Sequence, residues 1–351
     1  MSGQSKIIYS YHRRKTYQNR GIIAALAGAL VLAALISLSV GYSSLTFADV
    51  IRIITGSGSD NEILVLFSFR LPRIVLSIMV GMGLSAAGCL LQGVTGNALA
   101  DTGILGINAG AGLTVVLYVL FFGTGSMLAV FTLPVAALTG ALGAALLIYL
   151  LIRKKTGVIS PFSIIMTGIA VQAGLSALMT LLVVKLDDTQ YAFVSSWQVG
   201  SIWGANWHFV LALMPWLCIL LAVIMSKVRV LDVLVLGKET ATALGVKIQN
   251  EQKNLLFFAV ALAGTCVSVS GSISFVGLMA PHIARRLVGP RHHVMLPVCI
   301  MTGALLVLVS DTIARVIIQP SSLPTGVVVS IIGAPYLIYL LTAQQKYHER
   351  N

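Results

Sequence analysis

Charge is scarce along this chain of 351 residues: one in ten is Asp, Glu, Lys or Arg, and only 11 residues are acidic. A typical soluble domain carries roughly a quarter charged residues. With 57% of its residues hydrophobic, the chain has too few polar groups to coat a water-soluble fold. Cysteine is also rare, and Cys89, Cys218, Cys266 and Cys299 all sit in apolar stretches without CxxC or any other metal-ligand spacing. They read as small buried hydrophobes, and no metal site is expected. There is no HExxH, no GxSxG and no GxxxxGK[ST]. No catalytic residues are therefore assigned, an intramembrane enzyme is disfavoured, and the chain has no visible means of hydrolysing ATP.

What is present is apolar sequence in lengths that match a bilayer. A hydrocarbon core of about 30 Å needs roughly 20 apolar residues per helix. Runs of that kind fall near 21–40, 72–94, 106–123, 127–152, 159–184, 207–226, 254–271, 273–287, 295–315 and 325–343. The expected fold is an all-α integral membrane bundle of about ten transmembrane helices. Breaks or re-entrant turns are expected in the Gly- and Pro-rich stretches Gly93 to Gly112 and Ser270 to Pro281. The expected organisation is a basic cytoplasmic segment at 1–20, a ten-helix domain at 21–343 and a tail at 344–351. Arg13, Arg14, Lys15 and Arg20 before the first run resemble a signal peptide. The run's length and the lack of a small-residue cleavage site favour a retained span instead.

The formal charge of +12 does not signal nucleic-acid binding, because the basic residues form short runs with no aromatic interleaving. They act as a topology signal. With ten spans, the amino terminus, Arg153-Lys154-Lys155, Lys227 to Lys253, Arg285 to Arg291 and the carboxyl terminus share one face, which holds 18 of the 23 Lys and Arg residues. The positive-inside rule makes that face cytoplasmic, with both termini inside. Arg52, Arg70, Arg73, Lys185 and Arg315 are left near the outer boundary.

Arg70 and Arg73 flank Leu71-Pro72 at the start of the second span, and their spacing puts them on or near one helical face. Pro72 suits a first helical turn, where its missing N–H would be unpaired anyway, so the pair is expected to be held stiffly at the outer surface. Asp311 lies four residues before Arg315. That spacing fits mutual neutralisation of the two charges, the reading it favours, and it also fits Asp311 orienting the arginine towards an external acidic partner. Leu236 to Val246 reads as a short cytoplasmic helix at Glu239 to Leu244, ended by Gly237 and Gly245. Such a helix can lie on the membrane surface or fit a groove in a soluble motor subunit. The Gly271 to Arg285 string carries small residues that let helices approach closely, together with Pro281 and His282. His282 is expected to be hydrogen-bonded locally rather than catalytic. The acidic residues within apolar sequence are Asp101 and Asp311. That is few for an ion-gradient-driven secondary transporter, the rival from another class.

Five strings in order then make the chain similar to the FecCD family of ABC-importer permeases, the type II importers that include the vitamin B12 and iron-siderophore permeases. They are Arg70-Leu71-Pro72-Arg73, the Gly96 to Gly106 loop GNALADTGILG, the Leu236 to Val246 segment, the Gly271 to Arg285 block, and Leu323-Pro324-Thr325-Gly326-Val327-Val328 leading to Gly333-Ala334-Pro335-Tyr336. The likeness runs from about Gly21 to Ala343. It departs where the family carries prolines and this chain has Ala98 and Thr102.

The resemblance implies a vitamin B12 permease-like fold and a bacterial cytoplasmic membrane location. It also implies a second permease subunit, identical or homologous, two cytoplasmic ATPase subunits that hold ATP and Mg, and an extracytoplasmic substrate-binding protein. The cargo would be an iron(III)-siderophore complex, with vitamin B12 and haem as alternatives. Arg70, Arg73 and Arg315 match arginines that receive glutamates of the binding protein. Leu236, Gly237, Glu239, Thr240, Ala243, Leu244 and Gly245 match the ATPase-coupling helix. Asp101, Gly103, Gly277, Pro281, His282, Asp311, Pro324 and Gly326 are structural or gating candidates.

Overall fold

The computed structural model describes residues 3–41, 47–103, 106–123, 129–152, 161–202, 204–318 and 322–348, which are helical with no strand among them. In chain order the elements are α1 (Gly3–Ser39), α2 (Phe47–Ile54), α3 (Asp60–Ile63), a π-helical turn (Leu64–Arg70) and α4 (Leu71–Thr95), then α5 (Ile107–Phe122), α6 (Ala129–Ile152), α7 (Pro161–Val183), α8 (Asp188–Val199) and α9 (Trp207–Leu234). They continue with α10 (Lys238–Ala243), α11 (Ile248–Ser270), α12 (Val276–Val288), α13 (His292–Ile317) and α14 (Thr325–His348).

All ten apolar runs are helices. Among the described residues, seven helices are long and apolar enough to cross a membrane, and α5 and α14 add shorter apolar stretches, Ile107–Phe122 and Thr325–Leu340. The eighth run yields only the 13 residues of α12. That is about 20 Å of rise, short of the bilayer core, because an irregular Gly271–Phe275 segment takes up its beginning. α1 runs unbroken from Gly3 to Ser39, through the basic residues and the first apolar run. The Arg153-Lys154-Lys155 run lies outside the described residues.

The most apolar stretch of the helix that ends in α4 is 83% buried, whereas that of α1 is 6% buried and faces outwards. The α4 sequence Gly81-Met82-Gly83-Leu84-Ser85-Ala86-Ala87-Gly88-Cys89 presents small side chains on several faces. Gly81 abuts the α13 backbone at Gly303, and Gly88 abuts Gly277 of α12 so closely that a Cβ at either position would overlap backbone atoms. In lipid, where apolar groups gain nothing from leaving water, such close packing is what associates helices. Cys89, Cys266 and Cys299 are buried in this core as expected, but Cys218 is exposed. It sits on the outward face of α9, where bilayer rather than protein covers apolar side chains.

A π-helical turn leads into α4, where the Leu71 N–H reaches back five residues to the Leu66 carbonyl. Pro72 has no N–H to offer Phe67, the next carbonyl in that pattern. Trp207 Nε1, at the start of α9, donates to the Phe67 carbonyl instead at 2.7 Å. The start of α9 is thereby tied to the turn that leads into α4.

Candidate functional site

Three arginines and one aspartate gather where α1, α4, α13 and α14 meet. Asp311 is fully buried. Its Oδ1 accepts from Arg73 Nε at 3.0 Å and Nη2 at 2.9 Å, and from the Thr325 hydroxyl at 3.0 Å. Its Oδ2 lies 3.2 Å from Arg315 Nε, an ion pair whose angle does not make a hydrogen bond. Arg315 also donates to the carbonyls of Ser37 and Val40 at 3.4 Å and to the Ser37 hydroxyl. Arg70 donates to the Leu38 carbonyl and is 5% exposed. The expectation of arginines standing out at the surface is thus corrected. They are drawn inwards because the ends of their helices bring them against a carboxylate and the carbonyls that α1 leaves open at its carboxyl terminus. Three guanidiniums against one carboxylate still leave these four side chains at a formal +2.

The second group is α10 and its flanks. Gly237 and Gly245 bound the helix as expected, with φ of 98° and 81°. Leu236, Gly237, Glu239, Thr240, Ala243, Leu244 and Gly245 are all exposed. Ala241 turns inwards and is fully buried. Leu236 and Leu244, 60% and 61% exposed, put apolar surface on a long hydrophilic segment, and such patches mark protein contact surfaces. The segment is braced at its base by an ion pair between Lys227 of α9 and Glu251 of α11 at 2.8 Å.

Between these two groups the broken segments meet one another. The turn after α4 carries Asp101, whose carboxylate is faced by the backbone N–H groups of Thr102, Gly103 and Phe275. Phe275 has φ of 68°, a left-handed conformation that costs a non-glycine residue energy. Asn108 Nδ2 donates to Ser272 Oγ at 2.8 Å, and Gln92 Nε2 donates to the Gly277 carbonyl at 3.3 Å. Asp101 Oδ1 touches the space where Gly277 would need a Cβ. Asp101, Gly103 and Gly277 therefore belong to one buried polar junction.

Pro324 and Gly326 lie elsewhere, at the start of α14. The Gly326 N–H donates to the Gly200 carbonyl at 2.9 Å, and no side chain fits at Gly326 against the Val199 carbonyl. Pro281 and His282 stand apart within α12. The expected local hydrogen bond is not seen at His282 Nε2, which is buried without a partner. The ring packs edge-on against Tyr336, 5.9 Å between centroids.

Asp232 and His292 form a pairing that no sequence pattern announced. Asp232 Oδ1 accepts from the His292 backbone N–H at 2.6 Å and lies 3.0 Å from its Nδ1. This caps α13 and ties it to α9 just before α10 begins. An aspartate 60 residues from the helix it caps leaves no local signal. Among the described residues no cluster of His, Cys, Asp and Glu is suited to a metal.

Comparison with known proteins places this architecture. The chain is 45% identical over 333 residues to the iron(3+)-hydroxamate import system permease protein FhuG of Bacillus subtilis, spanning 93% of this chain and 98% of that one. It is 41% identical over 287 residues to the iron-uptake system permease protein FeuC of the same organism, spanning 81% and 85%. A solved structure described as an inward-facing conformation of a metal-chelate type ABC transporter superposes with a TM-score of 0.81 at 29% identity, covering 92% of this chain and 99% of that one. The model of the FecCD transport family matches residues 29–343. With an all-helical bundle, apolar spans and a family match over nearly its whole length, the chain is a multi-pass membrane permease and belongs to the FecCD transport family.

Proposed function

We propose that this chain is the permease subunit of a binding-protein-dependent ABC importer that carries an iron(III)-siderophore complex across the bacterial cytoplasmic membrane, with both termini in the cytoplasm. The observation that carries this reading is the placement of two unlike features, a cluster with surplus positive charge and an exposed apolar segment, at opposite ends of α9. At Trp207 the helix is bonded to the turn that bears Arg70. At Leu234 it runs into the exposed apolar segment around α10. A cation-rich rim suits an acidic delivery protein, and an apolar knob on a polar loop suits a soluble motor. Arg70, Arg73 and Arg315 receive the binding protein. Leu236 to Gly245 seats in one of two ATPase subunits, which hold ATP and Mg.

The cargo passes between this chain and a second permease subunit by alternating access. Iron chelates are favoured because both relatives above are named for iron uptake. The test is uptake of a ferric hydroxamate into liposomes holding the permease with its ATPase subunits, with loaded binding protein outside. Uptake should require ATP inside and persist when ion gradients are dissipated. Uptake that proceeds without nucleotide and collapses with the proton gradient would replace this reading by a secondary transporter. Competition by haem or cobalamin, and none by the ferric hydroxamate, would change the cargo alone.

A further inference from the structure

A cavity of about 570 Å³ lies between α6 and α11, within the roughly 300–1,000 Å³ of small-molecule sites. The two helices run in opposite directions along it, with Ile152 beside Lys253 at one end and Leu142 beside Val260 at the other. Ten residues of α6 rise about 15 Å, so the groove reaches from the edge of the apolar layer to about its middle. Its walls are apolar except at one end. Leu146 and Phe257 are 57% and 61% exposed along the groove, on helices that cross the membrane, so bilayer rather than water is what meets them.

The polar end is basic. Lys253 and Asn254 line it. Lys253 makes no ion pair among the described residues, while the nearby Glu251 is already taken by Lys227. An apolar slot half a bilayer deep with uncompensated positive charge at its mouth has the polarity of one leaflet of lipid.

We propose that this groove is a binding site for an anionic phospholipid, with an acyl chain lying along Leu142 to Ile152 and the headgroup phosphate held by Lys253 and the Asn254 amide. Basic pockets between transmembrane helices take anionic headgroups in this way. The site depends on the membrane-spanning fold and not on the cargo or the motor.

The experiment places a photoreactive benzophenone amino acid at Phe257 in the full chain, purified with its partner subunits and reconstituted in equimolar phosphatidylglycerol and phosphatidylcholine. After irradiation, mass spectrometry reads the adducts. Phosphatidylglycerol adducts should exceed phosphatidylcholine adducts about five-fold, the bias of one lysine near a membrane surface. Lys253→Gln should remove the excess and Lys253→Arg should keep it. Lys253 is only partly buried, so neither change disturbs the core, and Leu146→Trp should lower total lipid capture by filling the slot. Equal capture of the two lipids, an excess that survives Lys253→Gln, or adducts to a protein subunit instead of lipid would overturn the proposal.

Discussion

Asp311 pairs with Arg73 and Arg315 and accepts from Thr325 at once, from a site with no exposure. Two arginines and a hydroxyl solvate it in place of water. Removing one partner of a buried ion pair costs about 3–5 kcal/mol, because the charge left behind is uncompensated. Asp311→Asn should lower the thermal midpoint of the purified protein sharply, and Arg73→Lys should lower it less, since a lysine keeps the charge but not the two-pronged geometry. Equal midpoints for wild type and Asp311→Asn would show that the cluster does not clamp α13 to α4. Only half of this site was legible in the sequence. The four-residue spacing of Asp311 and Arg315 predicted an ion pair, and it is there. Arg73, 238 residues away, shares no spacing with Asp311, so its role as the bidentate partner emerges only once α4 and α13 pack. The inward turn of Arg70 was hidden for the same reason: its acceptor belongs to α1.

At the scale of elements, the helices of the ten apolar runs were readable because apolar runs in a bilayer have few alternatives to helix. Of the short elements α10 was anticipated, between Gly237 and Gly245, and the others were not. The turn at Leu64–Arg70 and the helix α2 carry no apolar run of spanning length, and α8 was passed over although Asp187 and Gln190 form a capping box at its start, a readable signal. Close approaches supply the sharpest test at this scale. Gly88→Leu would drive a branched side chain into the Gly277 backbone. It should separate α4 from α12, with a loss of at least about 1–3 kcal/mol measured by thermal or denaturant unfolding in detergent. An unaltered unfolding curve would contradict the packing. α10 behaves oppositely, being exposed. Leu236→Glu with Leu244→Glu should leave the unfolding midpoint unchanged while the yield of copurifying ATPase falls. Retention of full ATPase yield would remove α10 from the coupling interface.

For the molecule as a whole, the sequence conveyed the class of fold, which is a sum over many residues and tolerates local error. It did not convey how the breaks at Gly96–Gly106 and Gly271–Phe275 lock to each other, because that junction rests on hydrogen bonds between segments more than 160 residues apart. The formal +2 of the arginine cluster has a consequence for assembly. If an acidic protein is captured there, attraction over several ångströms is screened by salt, with a Debye length of about 10 Å at 0.1 M. The association rate of the binding protein should fall by about ten-fold or more between low and high ionic strength, as followed by stopped-flow fluorescence. A rate indifferent to salt would point to an apolar docking surface.

The indole of Trp207 fills a gap that Pro72 leaves in the hydrogen-bond ladder, and so welds the head of a 28-residue helix to the turn that bears Arg70. That helix is about 42 Å long and hands the chain on to α10 after Val235, Leu236 and Gly237. A load applied at the arginine rim thus meets a single pushrod reaching to the far side of the membrane, with one proline, Pro215, as its only built-in point of give.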